Sequence, residues 1–577
     1  MQNTLQKALI QLLAALPVLG LIRPGAVDAH TCAKGNCVDG HGLLVYPDGG
    51  SYEGHFKDGR FDGRGIKIFD DGGSYEGEFK GGRYEGKGTR VWGNGAKYVG
   101  DYKGGLMDGQ GTLTNRGGAE YVGGWKNNLH DGRGTETQAN GDVYEGEFTN
   151  GNRNGHGVTR SRSGSTYDGG WKDNLFHGRG TEIQASGDVY EGEFTNGSRN
   201  GHGVMRLKNG RTYDGEWKDN LFNGRGKLIQ PPDLTYVGDF KNGLYDGQGT
   251  VTFADGATYT GNFRLGKWHG KGDLKRRSGA HYSGEFADGM YDGKGTLTYA
   301  DGGVYTGEFR GDKPEGKGVL ISADKSRYEG SFRNGWEEGQ GKWIYDDGST
   351  YVGELKNGKR EGKGVLTSAD KSRYEGSFRS GWEEGQGRWT YADGSTYVGE
   401  LKNGKREGKG VLTFADKGSY EGSFRNGWEE GQGKWIYADG STYVGELRNG
   451  KREGNGSLEF RDGKKYVGEF RSDYADGKGT LSTPQVGTYK GEFRNGKYDG
   501  AGTLFLVTGT SVSSQFRGGL LDGPCVLKLK DGVVVKGEYR YGVPNGRWSR
   551  EAADGTKTEW QIKDGILKEI DQALNAI

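Results

Sequence analysis

The chain has 577 residues, of which 117 are Gly, 31% are hydrophobic and 12% are aromatic. So little Leu, Ile and Val excludes one large globular core, while the aromatic content and only 9 Pro argue against disorder. With 79 basic and 78 acidic residues the net charge is +1, lacking the basic excess on which phosphate-backbone binding depends, so no nucleic-acid partner is expected.

Residues 1–29 read as a secretory signal peptide. A polar start ending in Lys7 precedes the apolar run Ala8–Ile22, and Val27 and Ala29 fit a small-residue cleavage site. The run is short for a membrane span and contains Pro17 and Gly20. The alternatives are an uncleaved signal anchor, which would leave the protein membrane-attached, and an ordinary apolar helix. The expected localisation is exported: secreted, periplasmic or in the secretory-pathway lumen. Residues 30–51 keep the second half of a repeat and form an N-terminal cap. In an oxidising compartment Cys32 and Cys37 can pair there, whereas zinc would need two further ligands nearby.

From Tyr52 a tyrosine recurs every 23 residues without insertion to Tyr489, giving 20 tyrosine-led repeats over 52–511. In the unit Tyr328–Thr350, Tyr328, Gly330 and Phe332 alternate with Glu329 and Ser331, the period of a strand. A second strand is expected from Gly341, with Trp343 and Tyr345 on one face and Lys342 and Ile344 on the other. Asn-Gly and the glycines after it read as a loop inside the unit. The Asp-Gly of "DDGST" reads as a type I′ turn between units, because both its central residues need positive φ. Glycine weakens a strand, so Gly330 must leave room for an aromatic ring over the backbone.

Segments such as "YEGEFKGGRYEGKG", "YVGDFKNGLYDGQG" and "YKGEFRNGKYDGAG" resemble the membrane occupation and recognition nexus (MORN) repeat, Y-x-G-x-F-x-x-G-x-x-x-G-x-G, over about nine-tenths of the chain. The resemblance implies an all-β fold: an elongated, twisted, single-layer antiparallel sheet of tandem hairpins. It also implies a role in scaffolding, membrane apposition, filament-like assembly or dimerisation, with phospholipid binding as a further association. Two degenerate copies follow over 512–557. Residues 558–577 read as a capping helix with Ile566, Ile570, Leu574 and Ile577 on one face.

A 46-residue period overlies the repeat: 328–350, 374–396 and 420–442 are near copies, as are the intervening units. The unit from Tyr328 has Arg333 and Lys342 against Glu329, Glu337, Glu338, Asp346 and Asp347, a net charge of −3. The next has Lys356, Lys359, Arg360, Lys363, Lys371 and Arg373 against Glu354, Glu361 and Asp370, a net +3. "WEEG" loops are therefore expected beside "KREG" loops. Glu337 should pair with Arg360 and Trp336 should lie against Lys359, with Glu383, Arg406, Glu429 and Arg452 as the equivalent interaction or ion-pair candidates.

Catalytic chemistry finds no foothold. No glycine run ends in the Gly-Lys-Ser/Thr of a phosphate loop. The histidines, among them His156, His177, His202 and His269, lack metal-ligand spacing. Acidic pairs recur copy after copy, where a catalytic pair would be expected once. The Asp-Gly turns do not match the nonapeptide calcium roll, and the leftover Cys525 reads as buried. No enzyme activity, catalytic residue, metal, cofactor or small-molecule substrate is expected. The primary reading is a structural scaffold or protein-interaction array, with a protein partner or homodimer. The alternative is peripheral binding to anionic lipid through Lys356, Lys359, Arg360, Lys402, Lys405 and Arg406, or cell-surface adhesion.

Overall fold

A computed structural model describes residues 30–562; the expected signal peptide and Ile566, Ile570, Leu574 and Ile577 lie outside these residues. The described residues form 47 strands, β1 to β47 in chain order, and no helix. The last strand, β47 (Lys557–Ile562), pairs antiparallel with β46 (Val543–Glu551). Residues 558–562 are therefore strand, where a capping helix was expected: the apolar positions that mark a helical face all come later.

The chain divides into two compact units at Lys267 and Trp268. In the first, strands from β1 (Thr31–Gly35), β2 (Gly40–Val45), β3 (Ser51–Lys57) and β4 (Arg60–Ile68) onward pair antiparallel with their sequence neighbours. The second has the same meander, as in β27 (Arg327–Arg333), β28 (Trp336–Ile344), β29 (Thr350–Lys356) and β30 (Lys359–Thr367). The common repeat is thus a seven-residue and a nine-residue strand, each lengthened by one residue in a few copies such as Leu234–Lys241 and Leu244–Phe253. The stretch after Asn-Gly, expected as a loop, belongs to the second strand.

The two turns exchange the expected roles. Both Asn334 (φ 51°) and Gly335 (φ 89°) have positive φ, so the type I′ hairpin turn lies inside the repeat. Between repeats only Gly348 (φ 82°) is left-handed. The amide of Gly348 donates to Tyr345 O, and that of Tyr345 to Ser349 O, closing a three-residue loop. Asp347 fits this loop with ordinary φ because its Oδ1 accepts the Ser349 amide at 2.8 Å.

Tyrosine and glycine set the packing. Gly54 and Gly65 face each other across β3 and β4, and the Tyr52 ring covers both. A Cβ on Gly65 would lie 2.6 Å from Tyr52 Cζ, and one on Gly54 2.6 Å from Gly65 Cα. The ring sits beside a bulge in which His55 opposes three residues of β4, and Tyr52 Oη donates to His55 O at 2.9 Å. The same bond recurs in the later tyrosine-led repeats, from 2.7 Å at Tyr213 to 3.1 Å at Tyr489. Tyr52 is 0% exposed and lies edge-on between Phe56 at 5.1 Å and Phe79 of the next repeat at 5.0 Å. This alternation of tyrosine with phenylalanine forms the core of each unit, with Tyr102, Trp125, Trp171 and Trp217 replacing phenylalanine in the first and Leu355, Leu401, Leu447 and Tyr539 in the second. Burying such a ring contributes on the order of 2 kcal/mol, and each edge-to-face pair about 1 kcal/mol more.

The tenth position supplies a lid that the repeat consensus does not specify. Phe61 stacks on Tyr52 at 3.8 Å and Tyr84 on Tyr75 at 3.8 Å, and His130 lies flat on Tyr121 at 3.6 Å. Burial pushes the His130 imidazole down to about 4.

Gly341→Ala, which drives a methyl into the Tyr328 ring, is expected to cost at least about 1–3 kcal/mol. Tyr328→Phe, which loses only the bond to Ser331 O, is expected to cost about 1 kcal/mol; chemical denaturation measures both. His130 is neutral in the folded state, so its contribution is complete above pH 6.5 and is lost as the pH falls to about 4. His130→Phe, the residue found at position 61, should remove that part of the acid slope in melting-temperature profiles.

Candidate interaction surface

The charge-alternating repeats lie wholly in the second unit. The hairpin turns there are neighbours on one edge. The Gly358 amide donates to Glu337 O at 3.0 Å, the Gly404 amide to Glu383 O at 3.0 Å and the Gly450 amide to Glu429 O at 2.9 Å. "WEEG" and "KREG" segments are therefore adjacent, but Glu337 does not meet Arg360 and Trp336 does not meet Lys359 as expected.

The second acidic residue makes the bond between repeats. Glu338 Oε2 accepts the Asn357 amide at 3.1 Å, and Glu384 and Glu430 do the same for Asn403 and Asn449. Glu361, Glu407 and Glu453 of the basic repeats accept from Ser380, Asn426 and Ser472 at 2.8–2.9 Å. In the first unit Asp62, Glu85 and Asp131 cap Gly81, Gly104 and Asn150 in the same way. The type I′ turn leaves this amide pointing along the edge, and a carboxylate 19 residues earlier reaches it.

Glu337, Arg360, Glu383, Arg406, Glu429 and Arg452 all occupy the tenth position, turned onto the tyrosine face. Glu383 and Glu429 are 6% and 5% exposed, and burial raises the Glu337 carboxyl above its ordinary value. The expected bridge from Glu337 to Arg360 is not formed. Arg360 instead gives Nε and Nη2 to Gly381 O at 3.1 and 2.7 Å, with its guanidinium 5.3 Å from the Phe378 ring. Arg406 repeats this on Gly427 O, and Arg452 Nη2 donates to Asp473 O. Arg406 also approaches Glu429 at 3.9 Å, reaching forward along the array. Tenth positions of successive repeats lie two strands, roughly 10 Å, apart, so the turn carbonyl is met first.

The expected contact between Trp336 and Lys359 is likewise replaced. The Trp336 ring packs on the turn glycine, where a Cβ on Gly358 would lie 3.3 Å from Trp336 Cε3. Trp336, Trp382 and Trp428 remain 59%, 58% and 57% exposed. They alternate with exposed Lys359, Lys405 and Lys451 along the turn edge. Lys356 and Lys402 are exposed and stand opposite Lys359 and Lys405 in their hairpins. Arg360 and Arg406 are half-buried and held by carbonyls.

Sequence reasoning missed the first unit's inner-face ion pairs. Arg153 Nη2 meets Glu136 at 2.8 Å and lies 4.6 Å from the Tyr144 ring, and Arg199 repeats this with Glu182. The only signal is that each Glu precedes its Arg by 17 residues in near-copies of one unit. His156 and His202 pair with Asp168 and Asp214 on the surface. Cys32 and Cys37 are joined by a disulfide, with Cα atoms 6.0 Å apart. Cys525 is buried, and burial pushes its thiol up to about 12.

The family model described as MORN repeat matches 22 successive segments of the chain, from residues 39–51 to 513–534. Among curated proteins, none matches. Similar solved structures include the Drosophila melanogaster SAS-4 (dCPAP) TCP domain in complex with a proline-rich motif of Ana2 (dSTIL). It is 13% identical, with a TM-score of 0.20, over 30% of this chain and 87% of that one. The Danio rerio CPAP TCP10 domain in complex with a STIL peptide is 13% identical, with a TM-score of 0.15, over 43% and 96%. The virginiamycin B lyase from Staphylococcus aureus is 11% identical, with a TM-score of 0.10, over 53% and 90%. Scores this low carry no argument.

Glu338→Ala strips the cap from the Asn357 amide and is expected to cost about 1 kcal/mol. Glu337→Gln removes a half-buried charge that has no cation partner and is expected to be neutral or stabilising. Denaturant titration of the two variants side by side distinguishes the roles.

Proposed function

The chain belongs to the MORN repeat family, and from that premise we propose that its repeats form a non-enzymatic scaffold that associates with further copies of itself and with protein partners. The observation that carries this reading is the ledge of Trp336, Trp382 and Trp428, each more than half exposed at intervals of 46 residues. Exposed tryptophan is costly to maintain on a free surface and is enriched where partners anchor. The intervening Lys359, Lys405 and Lys451 give the ledge a repeating polarity, which sets the register in which a partner can lie along it. The acidic residues beside it do not compete, because Glu338, Glu384 and Glu430 face backbone amides.

We further propose that the protein is exported. The apolar run Ala8–Ile22 supports this, and so does the Cys32–Cys37 disulfide, since such bonds persist in oxidising compartments.

The Trp336→Ala, Trp382→Ala, Trp428→Ala triple variant is expected to keep its melting temperature within about 2 °C, because the rings are largely solvated, and to lose self-association by light scattering. Unchanged association in the folded variant would overturn the reading. Flotation with phosphatidylserine vesicles, lost in the variant while association persists, would transfer the ledge to the membrane alternative.

A further inference from the structure

On the inner face of the first unit, Lys67 and Arg90 occupy the same position of successive repeats, where Leu113, Leu228 and Leu274 stand in others. Both side chains are half-buried among aromatic rings. The Arg90 guanidinium lies 3.4 Å from the centroid of Phe69 and 5.7 Å from Trp92, and Lys67 Nζ lies 5.0 Å from Phe69 and 5.7 Å from Phe61.

What sets this pair apart is the lack of a counter-charge. Arg153 and Arg199 on the same face each hold a carboxylate at 2.8 Å. Among the described residues, neither Lys67 nor Arg90 forms an ion pair. Asp48 and Asp71 act on them only through space, and Asp71 is engaged by the Gly73 amide at 2.8 Å. Arg90 Nη1 is buried without a hydrogen-bond partner, and so is the hydroxyl of neighbouring Tyr102, a residue only 5% exposed. Burial lowers both cations' affinity for their protons, and for Lys67 the nearness of Arg90 adds to it. Two charges without an ion pair and two orphan donors on one patch are costly to folding, and the ring contacts offset only part of that cost.

We propose that Lys67 and Arg90 bind a carboxylate of an acidic peptide segment in a partner protein, with Phe61, Phe69 and Trp92 receiving the apolar side chains beside it. The planar Arg90 fork suits a carboxylate, and the open sheet face suits an extended chain laid across the strands. The proposal rests on the reading of the array as a binding scaffold, but it concerns a surface separate from the tryptophan ledge.

The test uses the full chain with a synthetic peptide alternating Glu with Phe and Leu, its Gln counterpart, and vesicles of phosphatidylcholine with phosphatidylserine. Binding of the Glu peptide is expected to be at least tenfold tighter than that of the Gln peptide. Lys67→Leu and Arg90→Leu should weaken it at least tenfold while raising the melting temperature, because each removes an unpaired charge and restores the residue of other repeats. Lys67→Gln and Arg90→Gln provide a polar control with the same loss of binding. Binding should survive in the triple tryptophan variant, which separates this site from the ledge. Equal binding of both peptides, binding unaffected by the Leu and Gln variants, or a lowered melting temperature in the Leu variants would overturn the proposal. So would vesicle binding that depends on Lys67 and Arg90 without peptide binding.

Discussion

Everything in this fold depends on a tyrosine ring laid flat across a pair of facing glycines, with its hydroxyl closed on a backbone carbonyl three residues on. A single-layer sheet has no second layer to cover its backbone, so the polar ladder must be shielded by the side chains of the sheet itself. The Tyr52 ring does this for Gly54 and Gly65, and the equivalent ring does it in each tyrosine-led repeat. The glycines are required because any Cβ would occupy the space of the ring. The bulge is required because it turns the backbone so that the hydroxyl meets a carbonyl. Edge-on phenylalanine or tryptophan from the same repeat and the next then links one tyrosine to its neighbour in most repeats, and buried Leu355, Leu401 and Leu447 take that place in the basic ones.

The high charge content follows from the same geometry. An open edge of tight turns presents amide hydrogens that no neighbouring strand satisfies, and the acidic residues of the eleventh position are placed to accept them. The physical alternative, a ladder of ion pairs between repeats, would bring mobile side chains together in solvent for little net stabilisation. A backbone amide is fixed in place and costs no side-chain entropy of its own to hold, so a carboxylate directed at it is the better-ordered arrangement. Arginine in the tenth position follows the same logic by closing on a turn carbonyl.

Against this ordering of turn amides, carboxylates and carbonyls, two features that folding does not explain stand out. The tryptophan ledge exposes costly surface at a regular interval, and the Lys67–Arg90 patch retains charge without compensation. They lie in different units and differ in chemistry, one apolar with interspersed cations and the other cationic within an aromatic bed. A uniform repeat array would offer the same contact throughout, and these two features depart from that uniformity.

The repeat length, the two-strand unit, the inward row of Tyr and Phe and the need for space at Gly330 are legible in residue order alone, because period-two alternation and glycine's missing Cβ are local properties. Cys32 and Cys37 were likewise legible as neighbours in a short cap. Which turn is type I′ emerges from the fold, since that rests on the φ of Asn334 and Asp347 and not on the Asp-Gly or Asn-Gly pair alone. The fold likewise shows that the Glu338 side chain, and not that of Glu337, joins one repeat to the next. Adjacent glutamates alternate between the edge and the ring face, and a one-residue difference in register sends one to an amide and the other under a tyrosine. The tenth position was illegible for a related reason. Phe61, His130, Arg153 and Glu337 share no chemistry that a consensus would reveal, and only the ring beneath each of them gives the position its meaning.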